Sequence, residues 1–144
     1  MQDAALTDEI IGCAIRVHRA LGPGFLESVY VKALAHELCK AGLQAECQRT
    51  VKVVYDGVVV GDFVADMLLI ADAVLVESKA VSALVQAHEV QLVNYLTATG
   101  IEIGLLLNFG ATSLQVKRKY RTYREKGMSN PVNPVQVLEN GVFK

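Results

Sequence analysis

The sequence is short of the features that would take it out of the class of plain soluble domains. It has only three cysteines in 144 residues, Cys13, Cys39 and Cys47. An odd count with no CxxC pair argues against a disulfide framework or a zinc site and fits a reducing compartment. Cys13 and Cys39 fall on apolar helical positions and read as small core residues. No apolar run reaches the roughly 18 residues of a membrane helix. The opening "MQDAALTDEI" has no basic region followed by an apolar segment. The expectation is a soluble, cytoplasmic chain with no membrane partner. Disorder is excluded by the opposite property, since apolar residues make up 52% and mean hydropathy is +0.32. There is no internal repeat, low-complexity tract or second domain. The length suits one domain with a true core, expected over residues 1–127, with a loosely attached tail over 128–144 that includes a short strand at "VQVL".

Net charge is also nearly absent, at −1, but it is unevenly spread. "KRKYRTYREK" (Lys117–Lys126) holds six of the 14 Lys and Arg and one Glu, leaving eight basic against fourteen acidic residues, about −6, for the rest. Two readings are open for this strip. It is a solvated edge element, or its Lys117, Arg118, Lys119 and Arg121 meet nucleic-acid phosphates while the tyrosines meet bases.

The order of elements is α-α-β-β-β-α-β-β. Thr7 is placed to cap a first helix to about Leu21, broken by "LGPG". A second helix runs from about Leu26 to Ala41, with Val31, Leu34 and Leu38 on its apolar stripe. Thr50–Ile70 contains two strands around Asp56-Gly57, a strong hairpin signal. Ala71-Asp72 turns into a third strand, "AVLVESKA". A helix over about Ser82–Thr99 leads to a fourth strand, Glu102–Phe109, and then to a fifth, "LQVKRKY". A helix between the third and fourth strands implies a right-handed parallel crossover in a mixed sheet. The class is α/β, helices packed on a sheet.

Charge interrupts two of the strands. Glu77 and Lys79 share one face of "VLVESKA". Asp66 interrupts "FVADMLLI". Counting from the turn sets Asp66 and Glu77 nearly opposite each other, and facing like charges destabilise a sheet. Either Lys79 neutralises the pair locally, or a divalent cation lies between, held by Asp66, Glu77 and the backbone carbonyl of Ser78. Gln91 and Tyr95, four apart on the third helix, share a face near the end of that strand. They read as a binding pair or as an amphipathic face. Glu27 opens the second helix, where a carboxylate also suits the helix dipole. Tyr30 lies one turn later on its face.

Together these residues resemble a known family. "GFLESVY" (Gly24–Tyr30) matches the GxxExxY signature that names a family of small bacterial and archaeal proteins, and "VGDFVADMLLIADAVLVESKAV", "QLVNYLTATGIEIGLLLNFG" and "VKRK" resemble it too. The likeness covers about Ile11 to Lys119. That family belongs to the PD-(D/E)xK nuclease superfamily, and the QxxxY after ExK resembles its RecB-like branch. Ala65 stands where the "PD" proline would be. The resemblance implies a restriction-endonuclease-like core, αβββαβ, with an extra N-terminal helix. It implies a Mg²⁺-dependent nuclease, with Mn²⁺ able to substitute and DNA the expected nucleic acid. Glu27, Asp66, Glu77 and Ser78 would hold the metal, Lys79 would orient or activate the attacking water, and Gln91 and Tyr95 would position backbone or carboxylate. His18 and His88 are accessory candidates, each also readable as a structural histidine. The competing reading is a non-catalytic nucleic-acid- or partner-binding module on this fold. A homodimer would widen the basic surface.

Overall fold

The computed structural model describes residues 2–122, with the side chains of residues 2, 3, 48, 49 and 63–66 outside that description. The expected tail, the strand at "VQVL" and the end of the basic strip lie outside the described residues. The elements are helix α1 (Gln2–Leu21), helix α2 (Glu27–Lys40), strands β1 (Ala45–Tyr55), β2 (Val58–Ile70) and β3 (Val74–Lys79), helix α3 (Gln86–Thr99), and strands β4 (Ile103–Asn108) and β5 (Gln115–Tyr120). After α1, this order begins with the expected αβββαβ core.

The strands form one mixed sheet in the order β1-β2-β3-β4-β5. Only β3 and β4 are parallel, joined through α3, because a parallel pair needs a long crossover. Alternation along the central strands sends side chains to two helical layers. Val74, Val76, Leu105, Leu107 and Phe109 pack with Ile10, Ala14 and Val17 of α1 and Tyr30, Leu34 and Leu38 of α2. Leu75, Leu106, Met67 and Leu69 pack with Leu92 and Leu96 of α3. β3 and β4 are therefore buried on both faces and read as near-continuous apolar runs. No helix among the described residues is long and apolar enough to cross a membrane.

Several local expectations are corrected. Thr7 is not a cap: α1 begins earlier, and the buried Thr7 hydroxyl donates to Ala4 O within it. Cys13 is buried as expected, but Cys39 is exposed. Asp56 and Gly57 form the first hairpin turn with φ of +52° and +75°, the left-handed geometry that an Asx-Gly pair tolerates. The second turn is longer than two residues. β2 and β3 pair as Ile70↔Val74, Leu69↔Leu75 and Leu68↔Val76, so Ala71, Asp72 and Ala73 all lie in the loop. Counting on in that register brings Glu77 level with Met67, one residue away from Asp66. The β1–β2 ladder is also irregular at this point. Between Cys47↔Leu68 and Arg49↔Ala65, β1 advances two residues and β2 three, so β2 accommodates an extra residue at 66–67. Such bulges are common beside active sites, where they re-aim a strand.

Candidate active site

Glu77 and Lys79 sit at the carboxyl end of β3, on the α3 side of the sheet, and α3 brings Gln91 and Tyr95 to them. Lys79 Nζ donates to Glu77 Oε2 at 2.9 Å and to Gln91 Oε1 at 3.3 Å. Gln91 Nε2 donates to the Tyr95 hydroxyl at 3.2 Å. The ExK and QxxxY residues thus form one connected polar chain between a strand and a helix. The end of a parallel strand is where open α/β sheets build their sites.

The electrostatics of this chain are unbalanced. Glu77 is 5% exposed, and its Oε1 has no hydrogen-bond partner among the described residues. Burial raises its carboxyl above the ordinary carboxylate range, Lys79 opposes this by hydrogen bond and charge, Glu27 adds to it, and His88 lowers it. The Tyr95 phenol is also pushed up, first by burial and then by the Glu77 charge. A buried carboxylate with one lone oxygen is costly to keep. Lys79 offsets part of that cost without cancelling it.

Glu27 is the first residue of α2 and is exposed. Its charge reaches Glu77 across the sheet edge. The loop before it is fixed by Tyr30, whose buried hydroxyl donates to Gly22 O at 2.5 Å and accepts from Phe25 N at 3.1 Å. The Tyr30 ring stacks on Phe109, with centroids 4.8 Å apart. Tyr30 is therefore a clasp on the Gly22–Phe25 loop. Tyr30→Phe removes both of these part-buried bonds and is expected to cost about 1–3 kcal/mol. A urea unfolding curve checks this; an unchanged midpoint would remove the clasp.

The Asp66 side chain, and with it the expected meeting of Glu27, Asp66 and Glu77, lies outside the described residues. Among the described residues no three His, Cys, Asp or Glu side chains are grouped to hold an ion. Ser78 is buried on the opposite face of β3 from Glu77. His18 Nε2 lies 2.9 Å from Ala111 O, tying α1 to the loop after β4. His88 Nδ1 accepts from Val85 N at 3.0 Å at the start of α3. Both histidines have structural partners.

The basic strip does not present one continuous surface. Arg118 and Lys119 alternate along β5 to opposite faces. Arg118 reaches Thr7 and Asp8 of α1, and Lys119 bonds Glu89 of α3 at 2.9 Å. Arg121 pairs with Glu102 at 2.6 Å. Lys117 lies on the same face as Lys119 and makes no ion pair among the described residues.

One supporting residue was not singled out in the sequence. Asn108, fully buried at the end of β4 opposite Lys79, accepts from Val81 N and Gly110 N, both at 3.0 Å. Its amide donates to Val81 O at 2.9 Å and Gln115 Oε1 at 2.8 Å. Gln115 Oε1 also accepts from Leu84 N at 3.1 Å. These bonds hold residues 81–85 in bends, so α3 starts at Gln86 and not at Ser82. The available signal was a lone polar residue in "GLLLNFG", interrupting an apolar strand as Glu77 does.

Comparison with known families places these observations. The model of the PD-(D/E)XK nuclease superfamily matches residues 4–119. No curated protein and no solved structure matches.

Proposed function

This chain belongs to the PD-(D/E)XK nuclease superfamily, and from that premise we propose that it is a divalent-metal-dependent nuclease acting on nucleic acid, with DNA the first substrate to test. The observation that carries this reading is the buried Glu77 carboxylate, with one oxygen on Lys79 and the other without a partner among the described residues. An oxygen in that state suits a hard cation, which takes carboxylate oxygen ligands and keeps several waters. Asp66, Glu77, Glu27 and the Ser78 carbonyl would hold Mg²⁺, with Mn²⁺ able to substitute. When bound, the ion would supply Lewis-acid polarisation of the phosphate and activation of a water.

The chain's own residues do the rest. Lys79 has three N–H groups, of which two are donated to Glu77 and Gln91. The third is available to hold the attacking water or a phosphoryl oxygen. Gln91 fixes the ammonium from the helix side, and Tyr95 fixes Gln91. Burial of Glu77 strengthens its bond to Lys79 relative to water, while the bonds of Gln91 are exposed. Lys117, on the same helical face, is the best-placed cation of the strip for a phosphate. The GxxExxY and RecB-like assignments accord with Glu27, Tyr30, Gln91 and Tyr95 and belong to the same proposal, as does a cytoplasmic location.

The test is thermal unfolding against Mg²⁺ or Mn²⁺, alongside a Mn²⁺ cleavage panel of single- and double-stranded DNA and RNA. Wild type should gain stability by mass action, about 2.7 kcal/mol at 100 times the dissociation constant. Asp66→Asn should lose both that gain and cleavage. Lys79→Ala should keep metal binding and lose about 10²–10³-fold in rate. Equal metal response in wild type and Asp66→Asn, with no cleavage of any substrate, would leave a non-catalytic binding module.

A further inference from the structure

The tip of the β1–β2 hairpin carries six exposed large apolar residues: Val53, Val54, Tyr55, Val58, Val59 and Val60, between 41% and 71% exposed. They are contiguous, because Val54 pairs with Val59 and Tyr55 with Val58. Strand alternation puts them on both faces of the two-stranded ribbon, so neither helical layer covers them. Among the described residues β1 is also the end strand of the sheet, with a neighbour on one side only. An edge that is long and largely apolar near its tip is a template for further pairing, and proteins normally blunt such edges.

We infer that this arm is a dimer interface, in which β1 of one copy pairs antiparallel with β1 of a second copy. This inference is independent of the metal site and of the nuclease reading. A strand that pairs antiparallel with itself about a twofold axis makes the isologous contact that closed dimers use. The register centred on Val54 brings Val53 against Tyr55 of the second copy, a favourable β-branched–aromatic pair. The same register brings Lys52 against the second copy's Asp56, and symmetry repeats that opposite-charge contact. Nucleic acid fits this surface poorly. Its charged residues are Lys52, Asp56 and Asp62, with Lys52 already across from Asp62, so the arm offers no net positive charge to phosphate.

Sedimentation equilibrium of the full chain, from 1 to 100 µM, should give a discrete species of twice 15.6 kDa. Val54→Lys should weaken the dimer at least about 100-fold, because the twofold axis sets the two introduced lysines face to face. Its circular dichroism melt should be unchanged, which separates a lost interface from a lost fold. Val54→Cys, in a Cys39→Ser and Cys47→Ser background, should give a covalent dimer on mild oxidation, while Thr97→Cys on exposed α3 should not. A monomer at 100 µM, a dimer indifferent to the two lysines, or open-ended aggregation without a discrete dimer would each overturn the inference.

Discussion

Glu77→Gln is expected to make the protein more stable and to abolish cleavage. At neutral pH and without divalent ions, the native state holds a nearly dry carboxylate of which one oxygen has no partner among the described residues. Its charged form is less comfortable folded than unfolded, since burial outweighs the attraction of Lys79. Glutamine keeps an acceptor for Lys79 Nζ and removes the charge. The gain should be about 1 kcal/mol, or roughly 2–4 °C in Tm for a chain of this size. The same change should lower cleavage by at least about 10³-fold, the scale of losing an electrostatic contact in a water-excluded site. The pH dependence has a defined sign. A carboxyl raised in the native state binds its proton more readily there than in the unfolded chain. Its cost is present above the folded pKa and is relieved as pH falls through it. The Tm gap between variant and wild type should therefore close on acidification into and below the carboxylate range. Mg²⁺ should close the gap from the other side, by stabilising wild type alone. A variant that melts lower than wild type at pH 7, or still cleaves, would show that Glu77 is an ordinary structural ion pair.

Gly110→Ala should damage the fold most among single methyl additions. A Cβ at this position would lie 2.3 Å from Val81 O, 2.5 Å from Val81 N and 2.6 Å from Ala80 C. These are backbone atoms of the segment that leaves Lys79, so no side-chain rotation relieves the contact. Overpacking that forces backbone to move costs about 3 kcal/mol or more, a large share of the roughly 5–15 kcal/mol a domain has. The expected result is a Tm lower by about 6–12 °C, or insoluble protein. Asn108→Ala approaches the same segment from the side-chain end. It strands Val81 N, Val81 O and Gly110 N, at about 1 kcal/mol or more each. Urea midpoints of both variants test this, and a shift under about 1 kcal/mol in either would mean that the loop adapts freely.

Much of the architecture was readable because period and punctuation agreed. Asp56-Gly57 marked the first hairpin, the crossover helix dictated the parallel β3–β4 pair, and the apolar runs of those strands matched burial on both faces. The polar chain from Glu77 to Tyr95 was readable for the same reason: i, i+2 on a strand and i, i+4 on a helix are fixed by backbone geometry. What could not be read was tertiary. Ala71 and Asp72 adopt φ of +53° and +55° without a glycine to announce it, so the loop was counted one residue short and Asp66 was set level with Glu77. Ser82–Val85 has nothing against helix locally; Asn108 takes the donor of Val81 just before it and Gln115 that of Leu84 within it, from 27 and 31 residues away. Thr7 resembled a cap, yet its hydroxyl serves Arg118, 111 residues on. The basic strip read as a single stripe, but strand alternation splits Arg118 and Lys119 between two faces, each against a helix carboxylate.

That Thr7–Arg118 contact has a further consequence for how the protein is made. Helix α1 leaves the ribosome well before β5, the strand whose Arg118 must lock it. At about 5–20 residues per second, α1 would spend several seconds with its apolar stripe only partly sheltered by α2 before β4 and β5 exist to receive it. Assembly on the ribosome therefore begins with a helical pair in waiting, and the sheet is the late arrival that turns it into a layer.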